Sequence, residues 1–157
     1  MLSKVIFSIL FITAAFCLIR GIYETYVLKT TYKSLGLGIN KIRIFLFSDL
    51  HVSFLNISPS VIAQEIIKSK PDVVLFAGDF VNKGSSDEIV LLKGVLKILC
   101  EAIQSINIPF YAVCGNHDSK EMANEIMETP GLECLEFLYN KSVIVKTSEG
   151  CNWKITG

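Results

Sequence analysis

The chain has 157 residues, of which 51% are hydrophobic and only 19% charged, and its formal net charge at neutral pH is zero. That length suits one domain, and the charged fraction falls below the roughly 25% of an average soluble chain. No basic or acidic block is present, which argues against nucleic acid as a partner, because a phosphate backbone demands a clustered positive surface.

The first predicted element is apolar. Val5 to Ile19 contains no charged residue and lies between Lys4 and Arg20. A helix over it rises about 22 Å, short of a roughly 30 Å hydrocarbon core. Lys4 and Arg20 can snorkel, and Leu2, Ile22 and Tyr23 extend the apolar run. Tyr23 and Tyr26 stand where interfacial aromatics would. Residues 1–29 are therefore expected to be an uncleaved membrane anchor. A cleaved signal peptide is the rival reading, although Ala14-Ala15-Phe16-Cys17 makes a poor cleavage site; a buried helix is the third. Arg20, Lys29, Lys33, Lys41 and Arg43 follow the segment, whereas only Lys4 and the terminal amine precede it. The positive-inside rule then predicts a single-pass membrane protein whose main domain faces the cytoplasm.

Residues 30–41 read as a linker with Gly36, Gly38 and Asn40 as breakers, and 42–157 as the folded domain. Ile42 to Phe47 is a strand-like apolar run. Behind Pro59, Ser60 to Ser69 has helical spacing in Val61, Ile62, Ile66 and Ile67. Asp72 to Ala77 is a second buried strand, opened by Asp72 after Pro71. Ser86 to Ile106 is a long amphipathic helix with Ser86 as candidate N-cap and a solvated face carrying Lys93, Lys97 and Glu101. Phe110 to Cys114 is a third strand, and Ser119 to Glu128 a helix closed by Pro130-Gly131. Leu135 to Tyr139, Ser142 to Lys146 and Asn152 to Thr156 read as short antiparallel strands. The β-α-β-α-β order predicts an α/β fold with a parallel sheet and right-handed crossovers. Five cysteines (Cys17, Cys100, Cys114, Cys134 and Cys151) form no CxxC pair. They read as small core residues in a reducing compartment, with neither a disulfide framework nor a zinc knuckle.

Each apolar strand runs into a polar cluster: Ser48-Asp49-Leu50-His51, then Gly78-Asp79-Phe80-Val81-Asn82, then Gly115-Asn116-His117-Asp118. Ligands of open α/β sheets bind outside the carboxyl ends of the strands, so the fold would gather three clusters distant in sequence. The chain has two histidines, and both lie in these clusters. Asp and Asn supply hard oxygen and His borderline nitrogen, a mixture that suits Mn, Fe, Zn or Mg. Asp49 and His51 can reach one ion from an extended loop, and a central carboxylate such as Asp79 can bridge two ions. A pair of ions polarises a phosphoryl group and deprotonates a water.

In D-x-H, G-D and G-N-H-D, taken in this order after three strands, the sequence resembles the calcineurin-like metallophosphoesterase superfamily. The resemblance implies the N-terminal half of an α/β/β/α sandwich, two divalent metal ions and a phosphoester substrate. It also implies roles. Asp49 and His51 bind the first metal, Asp79 bridges both, and Asn116 binds the second. His117 contacts the phosphate and protonates the leaving group, and Asp118 orients His117 through a hydrogen bond. The apolar segment followed by Tyr23-Glu24, a linker and F-S-D-L-H is similar to the membrane-anchored branch of UDP-2,3-diacylglucosamine pyrophosphatase-type enzymes of lipid A biosynthesis. One departure stands out: the family pattern continues with a lone His and a G-H-x-H, and no His follows Asp118. The expectation is a fragment, either a truncated reading frame or a chain whose remainder is encoded separately, weakly active or inactive by itself. The alternative is a catalytically incompetent metal- or partner-binding fragment.

Overall fold

A computed structural model describes residues 2–34 and 41–157. Gly36, Gly38 and Asn40, read above as linker breakers, lie outside the described residues. The chain divides into two compact units, Met1–Lys33 and Ser34–Gly157.

The first unit is built on one helix, α1, Leu2–Glu24. Its stretch Lys4–Glu24 has a mean hydropathy of 2.4 and no buried share among the described residues. At 1.5 Å per residue its 21 residues reach about 32 Å, long enough to cross a hydrocarbon core. Length and composition alone are satisfied equally by a signal sequence. Arg20 and Glu24 pair across one turn near its C-terminal end, at 3.0 Å.

The second unit is α/β. Strands β1 (Ile44–Phe47), β2 (Val73–Phe76), β3 (Phe110–Ala112) and β4 (Leu135–Phe137) form one sheet in the order β1-β2-β3-β4. All three pairings are parallel. Helices α2 (Pro59–Ser69), α3 (Ser86–Ser105) and α4 (Lys120–Met127) make the crossovers. The antiparallel expectation for Leu135 to Tyr139 is corrected here. Because α4 carries the chain back along the sheet, the strand after it must run in the same direction as β3. The antiparallel reading holds for β5 (Ser142–Lys146) and β6 (Asn152–Thr156), which pair as a hairpin.

The core explains why these segments fold as they do. α3 buries Leu92, Leu96, Leu99, Cys100 and Ile103 on one stripe, and α2 buries Ile62, Ala63 and Ile66. This is the spacing of amphipathic helices. The sheet contributes Val73, Val74, Phe76 and Phe110, each at most 2% exposed. Phe47 and Phe76 meet edge-on at 4.8 Å between centroids, and the Phe76 and Phe80 rings lie tilted by 30° at 3.9 Å. α3 begins one residue before the predicted first turn would place it, since Ser85 rather than Ser86 is the cap. Ser85 and Glu88 form a reciprocal capping box, the S-x-x-E signature of a helix start. Lys93 reaches across to Glu125 on α4 at 2.7 Å, so that helix face is partly an interhelical contact.

Cys100 and Cys134 are joined by a disulfide, their Cα atoms 6.0 Å apart. The expectation of cysteines without bridges is thereby corrected. The buried stripe of α3 lies against the segment leading into β4, a meeting that no spacing in the sequence announces. A bridge closing a loop of 34 residues contributes roughly 3–4 kcal/mol in the chain-entropy account.

Asp72 is structural, as its position after Pro71 suggests. Its carboxylate accepts from the backbone N–H of Arg43 and of Ser148, both at 2.8 Å. It thus ties the approach to β1 to the turn between β5 and β6. Burial pushes its pKa up, but the hydrogen bonds from Ser148 and Arg43 and the Arg43 charge outweigh that and hold it below the usual value.

Candidate metal centre

The three polar clusters converge beyond the C-terminal ends of β1, β2 and β3. Hydrogen bonds continue past the strands: Ala77 N–H donates to Phe47 O, Asp49 N–H to Gly78 O, and His51 N–H to Asp79 O, at 2.9, 3.0 and 3.1 Å. The first two loops are thereby locked together. Phe80 and Val81, at most 1% exposed, plug the second loop into the core directly behind Asp79.

Asp49, His51 and Asp79 each offer a ligand atom within 4.8 Å of the others. All three have left-handed backbones, with φ of 56°, 38° and 65°. Such φ values are uncommon away from glycine and cluster at sites where surrounding structure over-determines them. Two glycines permit the convergence. Gly78 has φ +94°, and a Cβ there would collide with the backbone of Gly115; a Cβ on Gly115 would lie on the Asp79 carboxylate.

The third cluster completes the rim. The backbone N–H of His117 donates to Asp79 Oδ1 at 3.1 Å, and the rings of His51 and His117 meet edge-on, 5.3 Å between centroids. Asn116 is exposed on the same loop. Asp118 is placed differently from the expectation. Its carboxylate turns inward and accepts from the backbone N–H of Asp79 (2.7 Å), Phe80 (2.9 Å), Val81 (3.3 Å) and Gly115 (2.9 Å). The orientation of His117 comes instead from the carbonyl of Asn82, 2.9 Å from Nδ1. The reason is local: a left-handed turn at Gly78 and Asp79 points successive amides to one spot, and an anion fills it. Asp118→Ala would leave four buried or half-buried amides without an acceptor. We expect it to destabilise the fold by at least about 3 kcal/mol, read as a lower denaturant midpoint, with Asp118→Asn intermediate.

The donors fit a divalent cation. Two carboxylates and one imidazole form a mixed hard and borderline set, and Asp49 and Asp79 would repel each other without a cation between them. His51 spends Nδ1 on the carbonyl of Val81, 3.1 Å away, which leaves Nε2, 3.9 Å from Asp49 Oδ1, for an ion. A ligand His holding a backbone carbonyl with its other nitrogen is the usual arrangement.

Residues 42–154, which hold every motif of this site, match the calcineurin-like phosphoesterase family. The chain belongs to that family. Over 96 residues it is 34% identical to a protein of Arcobacter nitrofigilis named probable glycerophosphodiester phosphodiesterase GpdQ, covering 60% of this chain and 29% of that relative. The chain thus spans less than a third of that relative's length.

Within this calcineurin-like domain, sequence reasoning missed two participants. Glu88 and Ser53 bind each other at 2.6 Å, and Glu88 also accepts from the backbone N–H of Asn82 and Lys83, next to the carbonyls that meet the two histidine rings. The capping-box spacing of Ser85 and Glu88 was the available signal.

Proposed function

We propose that this chain carries out metal-dependent hydrolysis of a phosphodiester. The observation that carries the reading is the convergence of Asp49, His51 and Asp79 within 4.8 Å in a calcineurin-like phosphoesterase domain. Asp49 and His51 would hold one ion, Asp79 would bridge to a second, and Asn116 would complete the protein's share of that second site. The bound ions, Mn, Fe, Zn or Mg, supply Lewis acidity and an activated water. His117 stands on the rim with Nδ1 held by Asn82, so Nε2 is the atom that would face the phosphoryl group and, in the doubly protonated ring, would hand its proton to the leaving oxygen. Asp118 ties the loop that carries Asp79 to the loop that carries His117.

The substrate reading follows the relative's name: a glycerophosphodiester. A lipid-linked or nucleotide-sugar pyrophosphate such as UDP-2,3-diacylglucosamine is the second reading, favoured by the apolar α1. The test uses the purified chain with Mn2+ or with a chelator. It is offered bis-p-nitrophenyl phosphate, a glycerophosphodiester and UDP-2,3-diacylglucosamine. Metal-dependent release from the first two supports the diester reading, and release from the third alone favours the lipid reading. Stoichiometric metal binding with no turnover on any would favour a binding fragment whose remaining ligands come from a separately encoded half.

Membrane attachment through α1 belongs to the same proposal. The charges that flank α1 favour a cytoplasmic domain. The Cys100–Cys134 bridge favours the other side, because disulfides persist in oxidising compartments. Alkylation of intact cells followed by electrophoresis with and without reductant separates the two. A protected, faster-migrating oxidised form is expected if the domain lies on the oxidising side, and a fully alkylated chain if it is cytoplasmic.

A further inference from the structure

Both histidines of the site are oriented by consecutive peptide groups, and a single carboxylate holds the far side of both. The carbonyl of Val81 meets His51 Nδ1 at 3.1 Å, and the N–H of the same peptide group, on Asn82, donates to Glu88 Oε1 at 3.3 Å. The carbonyl of Asn82 meets His117 Nδ1 at 2.9 Å, and the N–H of that peptide group, on Lys83, donates to Glu88 Oε2 at 2.8 Å. A peptide group is planar and trans, so its N–H and C=O point in opposite directions. Each histidine is therefore linked to Glu88 through one rigid peptide unit.

A carbonyl oxygen only accepts hydrogen bonds. In the neutral rings the proton must then sit on Nδ1 of both His51 and His117, which leaves both Nε2 lone pairs facing outward. Glu88 is tied on its remaining sides. Ser53, two residues after His51, donates Oγ–H to Oε1 at 2.6 Å, and Ser85 N–H approaches Oε2 at 3.4 Å. The residue is 7% exposed. The hydrogen bond from Ser53, first, and those from Lys83, Asn82 and Ser85 hold its pKa down to about 2 against the opposing effect of burial, so it stays ionised at any ordinary pH.

We propose that Glu88 is a positioning residue for both histidines: by clamping peptide groups 81–82 and 82–83 it fixes their shared tautomer and presents both Nε2 atoms to the metal and phosphoryl site. What those Nε2 atoms meet rests on the phosphoesterase reading; the tautomer claim concerns the protein alone.

The competing role is a plain helix cap, since Glu88 is also the N3 member of the box on Ser85. The chain's two histidines make the distinction measurable. The full chain, labelled with 15N in its imidazoles and kept soluble in detergent micelles without metal, gives two ring systems in a long-range 15N–1H correlation near pH 8. Wild type is expected to show both rings as the single Nδ1–H tautomer. Glu88→Ala should convert both rings to tautomer mixtures and weaken Co2+ binding by about 10–100-fold, the range for loss of a ligand's supporting partner. Glu88→Gln, which keeps a carbonyl oxygen on one of the two peptide groups, should recover one ring. Ser85→Ala removes the cap and should leave both rings as in wild type.

A folded Glu88→Ala protein with wild-type rings and wild-type Co2+ affinity overturns the proposal. If Glu88→Ala does not fold, the pair Glu88→Gln and Ser85→Ala decides. Rings disturbed only in the former support positioning, and rings equally disturbed or equally untouched in both overturn it. If the tautomer effect holds while wild type hydrolyses no phosphoester, Glu88 keeps its role and the enzymatic reading falls.

Discussion

Asp79→Asn is expected to abolish metal binding and hydrolysis while leaving the fold intact. Asparagine tolerates the left-handed backbone that Asp79 adopts at φ 65°, and its carbonyl oxygen can keep the bond from the His117 amide. What it loses is the negative charge that would lie between two cations. Removing a partner behind a ligand already costs about 10–100-fold in metal affinity, so removal of the bridging carboxylate should exceed about 100-fold. Thermal denaturation provides a readout that does not depend on turnover. At a metal concentration of about 100 times Kd, binding stabilises the native state by about 2.7 kcal/mol, a rise of roughly 10 °C in Tm for a domain of this size. That rise should vanish in Asp79→Asn. Without metal, the variant should melt at or slightly above wild type, because Asp49 no longer faces a second carboxylate. A metal-induced rise equal to wild type would remove Asp79 from the ligand set.

Gly115→Ala should cripple the same site by a purely steric route. Its φ is not in the left-handed region, so an L-residue's backbone is not the obstacle. The added Cβ would fall 2.5 Å from Asp79 N and 2.7 Å from Asp79 Cγ, closer than real Cβ contacts allow. Either the second loop retreats, and Phe80 with it, or the third strand end does. Overpacking of this kind costs about 3 kcal/mol, read as a drop of roughly 10 °C in Tm, and the metal-induced rise should disappear as well. Gly94→Ala supplies the contrast. That glycine sits in α3, with nothing within 4 Å of the position its Cβ would take, and alanine there should stabilise by about 0.5–1 kcal/mol. Equal effects of the two substitutions would mean that the close approach at Gly115 is not required.

Much of this site was readable from residue types. Apolar runs that stop at Asp49, Asp79 and Asn116 mark strands that deliver polar residues to one edge of a parallel sheet, and β5 and β6 fall at the two segments read as short strands, Ser142 to Lys146 and Asn152 to Thr156. The features that were not readable depend on directions rather than types. Asp118 looks like a partner for its neighbour His117, yet the left-handed turn at Gly78 and Asp79 aims four amides at it. Glu88 shows the spacing of a helix cap, but its hold on the histidines runs through peptide groups, which a residue pattern does not describe. The direction of β4 follows from the short α4 making a full crossover, and eight residues of helix do not announce that by themselves. The pairing of Cys100 with Cys134 depends on where two buried segments meet.

That bridge has a topological consequence. Together with the backbone it closes a covalent ring from Cys100 to Cys134, and the ring contains β3, the whole Gly115–Asp118 loop and α4. A protease that cuts once anywhere inside the ring leaves a single covalent molecule, with both cut ends still tethered. The third motif can be nicked without being released, and the cut becomes visible on a gel only after reduction.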